Sequence, residues 1–127
     1  MKAPAFDYLR PDTLEQCLEA LATLGDDAQI LAGGQSLMPM LNFRLAAPAT
    51  LIDIGRLAEL KSIRIEGDRL VVGARATHAE IGASAEVRRL LPLLSAAAPH
   101  IAHVAIRSRG TVGGSLALAD PASEWAA

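Results

Sequence analysis

The chain has 127 residues, 51% of them hydrophobic. It can bury a core, lies far in composition from a disordered segment, and is expected to form one domain or two small subdomains sharing a surface. Twelve basic and fourteen acidic residues leave a net charge of −2 without long charge runs, which excludes the electrostatic footprint of a nucleic-acid or anionic-membrane binder. No window approaches the roughly 20 apolar residues of a membrane span, and Met1-Lys2-Ala3-Pro4 opens no signal peptide, so a cytoplasmic location without a membrane span is expected.

Phe6-Asp7-Tyr8-Leu9 alternates apolar and polar residues and stops at Arg10-Pro11, the pattern of a short strand. Thr13 and Gln16 form a capping-box pattern, and Leu14, Cys17, Leu18, Leu21 and Leu24 then repeat at helical spacing until Gly25. Cys17, on that apolar face, reads as a small core residue rather than a reactive thiol. As the only cysteine it makes no internal disulfide and holds no iron–sulfur cluster unaided, so any such cluster belongs to another chain.

After Asp26-Asp27, residues 28–32 read as a short buried strand running into Gly33-Gly34-Gln35-Ser36, with a second helix from about Ser36-Leu37 and Pro39 tolerated in its first turn. Thr50 to Ile54 is the next strand, and the helical connection predicts that it lies parallel to strand 28–32. Residues 1–55 therefore read as a small α/β subdomain of βαβ type.

Beyond it the pattern changes. Ser62 to Glu66 and Arg69 to Gly73 flank a Gly67-Asp68 turn, the signature of a two-residue antiparallel hairpin. Thr77 and Glu80 form a second capping box, opening an interrupted helix through Leu90; Pro92 to Ala98 begins another, and 103–109 is a helix or loop. Residues 56–127 are thus a second, antiparallel α+β subdomain, and the expected fold class is α+β.

The most informative feature is the recurrence of Gly-Gly followed by Ser. A strand ending in Gly33-Gly34 and leading into a helix leaves backbone N–H groups unpaired and unshielded by Cβ atoms, available to a pyrophosphate. The Ser36 hydroxyl can cap the helix or donate to phosphate. Thr111-Val112-Gly113-Gly114-Ser115 offers the same chemistry, and two such loops suit the two phosphates of a dinucleotide. No Gly-x-Gly-x-x-Gly follows a strand and no Gly-x4-Gly-Lys-[Ser/Thr] is present, so neither the Rossmann fingerprint nor the P-loop explains these glycines.

Three stretches together, Ala32-Gly33-Gly34-Gln35-Ser36-Leu37-Met38-Pro39-Met40, Leu51-Ile52-Asp53-Ile54, and Arg107-x-Arg109-Gly110-Thr111-Val112-Gly113-Gly114-Ser115 with Ala119-Asp120-Pro121-Ala122-Ser123-Glu124, closely resemble the medium, FAD-binding subunit of molybdenum hydroxylases. That family includes aerobic carbon monoxide dehydrogenase and relatives of xanthine dehydrogenase. The resemblance implies a PCMH-type FAD-binding fold. It implies that Ala32, Gly33, Gly34, Gln35 and Ser36, with Thr111, Val112, Gly113, Gly114 and Ser115, bind the FAD diphosphate and adjoining ribityl through backbone amides and hydroxyls. Ile101 matches a position packing near the cofactor. Glu124 matches an acid, often Asp, that hydrogen-bonds the sugar-like chain, and the longer Glu side chain must retract to do so. Family members continue past Ala127 into a completed second subdomain and a C-terminal domain.

The resemblance further implies a large molybdopterin-binding subunit and a small subunit with 2Fe–2S clusters as partners, and electron transfer from those clusters through FAD to an external acceptor. A second reading, a truncated fragment or assembly module that does not retain FAD, stands beside it. His100 and His103 lack an apparent third ligand, so no metal site is expected. His78 follows a helix cap and reads as a solvent-facing or capping residue more readily than a cofactor contact. Arg107 and Arg109 suit phosphate neutralisation, a partner salt bridge or a structural role. No nucleophile–base set or catalytic carboxylate pair emerges, so no catalytic residue is assigned and the chemistry is expected to be the cofactor's.

Overall fold

The computed structural model describes residues 2–126. They fall into two units that meet in sequence between Ala58 and Glu59. The architecture is α+β, as expected.

The first unit is built on three parallel strands, β1 (Asp7–Leu9), β2 (Ala28–Leu31) and β3 (Thr50–Asp53), in the order β1-β3-β2. Helix α1 (Leu14–Leu24) joins β1 to β2, and α2 (Leu37–Asn42) joins β2 to β3. The parallel pairing of β2 with β3 is the one predicted from the helical connection. Central β3 buries Thr50, Leu51 and Ile52 in succession, the continuous burial of a strand covered on both faces. By contrast, β2 is an edge strand: Gln29 is exposed and Ala28, Ile30 and Leu31 are half-buried, so the buried strand expected here is only partly covered.

Thr13 caps α1, its hydroxyl oxygen accepting from the Gln16 N–H at 3.2 Å. The Gln16 side chain, however, accepts from the Asp12 amide at 2.9 Å, so the reciprocal bond of the expected box is displaced one residue outward. Cys17 is buried, and that burial pushes its thiol pKa up, as its core role requires. Leu18, expected on the same buried face, is exposed. It stands at one edge of the apolar stripe, whereas Cys17 and Leu21 lie nearer its middle.

In the second unit, β4 (Ile63–Glu66) and β5 (Arg69–Val72) form the predicted antiparallel hairpin, Glu66 opposite Arg69. Its two-residue turn uses Gly67 at φ +62°, a conformation that glycine adopts without steric cost. Among the described residues five α-helices follow: α3 (His78–Ala83), α4 (Ala85–Leu90), α5 (Pro92–Ala97), α6 (Val104–Arg107) and α7 (Val112–Leu118). The Thr77–Glu80 capping box is complete, and Lys61 pairs with Glu80 at 3.0 Å. The helix expected to run with interruptions through Leu90 is broken at Ser84, which ends α3 and caps α4 by accepting from the Val87 amide. Ala76, Ile81 and Val87 form the buried centre, with Ile63, Leu70, Val72, Leu94, Val112 and Trp125 packed against it. Among the described residues, no helix is long and apolar enough to cross a membrane.

Candidate functional site

β2 ends at Leu31, in register with Asp53 at the end of β3, and the chain then turns through Ala32–Ser36 into α2. This segment therefore lies at the carboxyl edge of a parallel sheet, where open α/β sheets bind ligands. Among the described residues, the N–H groups of Gly33, Gly34, Gln35, Ser36 and Leu37 have no acceptor within the chain. Such groups require an outside partner, water or ligand. Gly34 is at φ +72°, and a Cβ there would stand 3.2 Å from Met38 Cγ and 3.3 Å from Leu31 Cδ1, so both backbone shape and space favour glycine. The Gln35 amide nitrogen donates to the Gly33 carbonyl at 3.1 Å. Ser36 makes no side-chain cap on α2, so of the two roles read for its hydroxyl the capping one is not used.

The same edge carries a cluster that sequence reading did not anticipate. Asp53 Oδ2 accepts from the Tyr8 hydroxyl and faces Arg10 Nε at 3.5 Å, while Oδ1 accepts from the Gly55 N–H at 2.7 Å. The hydrogen bond to Asp53 raises the Tyr8 pKa, because ionised phenol would lose its donor against a carboxylate. Two strands read in the sequence end in Tyr8-Leu9-Arg10 and Ile52-Asp53, but it is the pairing of β1 with β3 that brings those ends together.

The second glycine segment is arranged differently. Thr111 is the N-cap of α7, and Val112 to Ser115 form the first turn of that helix rather than a loop. Its amides are already engaged: Val112 N–H with Ala76 O at 2.9 Å, Gly113 N–H with Ala74 O at 3.0 Å, Gly114 N–H with Thr111 Oγ1 at 3.1 Å, and Ser115 N–H with Thr111 O at 3.0 Å. A Cβ on Gly113 would lie 2.6 Å from Ala74 Cβ and 2.7 Å from Ala74 O. Close packing on Ala74 is thus sufficient reason for glycine at that position.

The structure brings Glu124 to this segment. Ser115 Oγ lies 3.0 Å from Ser123 Oγ, and Glu124, half-buried, opens the short 3-10 turn that follows. Ile101 is buried between α5 and α6. The turn that carries it is tied by Arg107, whose Nη1 donates to Pro99 O, Ile101 O and Ala102 O at 3.2, 2.8 and 2.7 Å, so Arg107 takes the structural role among those read for it.

His78, read as solvent-facing or capping, is instead only 6% exposed, with its Nδ1 accepting from Trp125 Nε1 at 3.0 Å. Burial lowers its pKa, against an opposing effect from Glu124. His100 and His103 are exposed, and no group of three or more His, Cys, Asp or Glu able to hold a metal occurs among the described residues.

Residues 4–127 match the family described as the FAD binding domain in molybdopterin dehydrogenase. The chain belongs to this family. Among its relatives, the alpha subunit of the 6-hydroxypseudooxynicotine dehydrogenase complex of Paenarthrobacter nicotinovorans is 51% identical over 124 residues, which are 98% of this chain and 42% of that protein. Caffeine dehydrogenase subunit beta of Pseudomonas sp. (strain CBB1) is 48% identical over 127 residues, 100% of this chain and 43% of that protein. A solved structure of carbon monoxide dehydrogenase from Hydrogenophaga pseudoflava, lacking the Mo-pyranopterin moiety of its molybdenum cofactor, superposes with a TM-score of 0.93 at 45% identity, covering 95% of this chain and 42% of that one. The chain thus spans less than half the length of the relatives it matches. The family resemblance read from the glycine motifs is the family that the comparison shows.

Proposed function

We propose that this chain binds FAD as part of the flavin subunit of a molybdenum hydroxylase-type dehydrogenase, and that the cofactor takes electrons from iron–sulfur clusters of a partner subunit and passes them to an external acceptor. The observation that carries the reading is the run of unpaired amides from Gly33 to Leu37 at the carboxyl edge of the parallel sheet, beside a Gly34 cradle that a Cβ would crowd. That donor set fits an anionic diphosphate.

In this reading Ala32 to Ser36 hold the diphosphate. The amides of Val112 to Ser115 are engaged within the chain, so Thr111 to Ser115 contribute the Thr111 and Ser115 hydroxyls and the bare surface of exposed Gly114. Ile101 supplies an apolar wall, and the Glu124 carboxylate accepts from a cofactor hydroxyl. Residues 1–55 and 56–127 act as two FAD-binding subdomains. FAD, when bound, supplies the redox chemistry, and the protein supplies binding and orientation. A large molybdopterin-binding subunit and a small 2Fe–2S subunit complete the dehydrogenase, in the cytoplasm.

The test is the flavin content of the purified full-length protein. Oxidised-flavin absorbance at one FAD per chain, lost in a folded Gly34→Val variant, is expected; protein that carries no FAD and binds none on titration would sink the reading.

A further inference from the structure

We infer that His78 is a positioning residue of the second unit, tying the Glu124 segment to the Gly110–Ser115 segment so that both present their groups to the cofactor. The inference rests on the FAD reading above and concerns a residue that does not itself touch FAD in that reading.

Three stretches of chain converge on this side chain. The first is its own: the His78 N–H donates to Gly110 O at 3.0 Å, Thr77 stands opposite Thr111 in an antiparallel bridge, and Val112 N–H returns to Ala76 O. The start of α7 is thereby fixed to the start of α3. The second is Gly110, on which the imidazole lies: a Cβ there would fall 2.8 Å from His78 Cδ2 and 2.9 Å from Nε2. Only a residue without a side chain admits that approach.

The third is the segment after α7. Trp125 Nε1 donates to His78 Nδ1 at 3.0 Å, with the ring centroids 5.5 Å apart and the planes tilted by 44°. Trp125 directly follows Glu124, and its own N–H donates to Ser123 Oγ, which meets Ser115 Oγ. The Glu124 stretch is therefore held from two sides, by the serine pair and by the imidazole. An acceptor at Nδ1 assigns the neutral tautomer with its proton on Nε2. Without that acceptor a half-buried indole N–H is left unpaired, which costs more than a hydrogen bond exchanged with water.

The test compares His78→Phe, which keeps a flat ring but no acceptor, with His78→Asn, whose Oδ1 falls near the position of Nδ1. Hydrogen exchange over residues 110–126 is measured in the FAD-free full-length protein, and the FAD dissociation constant by titration. In the Phe variant, exchange across 120–126 is expected to accelerate and the dissociation constant to rise roughly tenfold, with Asn restoring most of both. Should the Phe variant not fold, Asn against His78→Gln makes the same comparison, since Gln carries its acceptor one bond too far. Unchanged exchange in the acceptor-less variant, or faster exchange with unchanged FAD affinity, would overturn the inference. Wild-type protein that binds no FAD would instead overturn the FAD reading, while the exchange measurement still decides whether His78 ties the two segments.

Discussion

Arg107 Nη1 donates to the carbonyl of Ala102 at 2.7 Å, and Ala102 sits at φ +42°, a left-handed conformation that costs an L-residue on the order of 1–2 kcal/mol. The same nitrogen reaches the carbonyls of Ile101 and Pro99. Charge-assisted bonds of this kind are roughly twice as strong as neutral ones, and here they gather several carbonyls of one turn around a single cation. Their effect is to hold a strained turn that carries buried Ile101.

Two substitutions separate strain from its restraint. Ala102→Gly should stabilise the protein by about 1 kcal/mol, because glycine adopts the turn without the Cβ penalty. Arg107→Met, which keeps the aliphatic stem, should destabilise it by about 1 kcal/mol, chiefly through the part-buried Ile101 carbonyl left without its donor, since Pro99 and Ala102 are exposed and water can take the place of Arg107 there. Urea denaturation of both variants measures this; an Arg107→Met variant as stable as the wild type would show that the turn holds itself.

At Gly34 the structure alters what sequence alone suggests about a surface substitution. Its φ of +72° and the neighbouring Met38 and Leu31 side chains make a β-branched residue strained as well as obstructive. Gly34→Val is expected to cost about 1–2 kcal/mol and to abolish FAD retention, whereas Gly34→Ala should cost less and retain weakened binding. Thermal unfolding and flavin absorbance, read on the same samples, distinguish the two effects. Full flavin content in folded Gly34→Val protein would remove Ala32 to Ser36 from the site.

Gly113→Ala tests packing rather than ligand contact. The added methyl would meet Ala74 Cβ at 2.6 Å and Ala74 O at 2.7 Å, and overpacking against backbone costs typically 1–3 kcal/mol or more. The expected result is a lowered denaturation midpoint with or without FAD. A compensating Ala74→Gly should recover part of the loss; no loss at all would mean that the Gly113–Ala74 approach is looser than the geometry requires.

The pH dependence of stability follows from His78, whose pKa burial holds below its ordinary 6.5 while Glu124, the charged group facing it, acts in the opposite sense. Because the folded state favours the neutral ring, the stabilisation is complete above pH 6.5 and is lost as pH falls through the depressed folded value. Denaturation midpoints at pH 8, 6 and 5 should fall more steeply for wild type than for His78→Asn, which has no proton to bind. Parallel curves for the two proteins would contradict the assignment.

Much of the fold was legible in the chain because the rules that shape it act over a few residues. Thr13 and Gly25 bracket α1, Gly67-Asp68 turns the hairpin, and Thr77 and Glu80 box the start of α3. Each is a hydrogen bond or backbone preference between near neighbours. The family, too, was readable from the two glycine motifs and their order.

What those motifs do locally depended on partners far along the chain. The Val112 and Gly113 amides are occupied because Ala76 and Ala74 come to meet them, and those of Gly114 and Ser115 by the Thr111 cap, whereas the amides from Gly33 to Leu37 have no such neighbour among the described residues; identical Gly-Gly pairs thus differ in what they have left to donate. His78 is buried because Trp125 and Gly110 close over it, and Asp53 becomes an anchor only when β1 is laid beside β3. Short-range hydrogen bonding and periodicity are written in the sequence, but whether a polar group is spent inside the molecule or offered to a ligand is decided by which distant segment the fold brings against it.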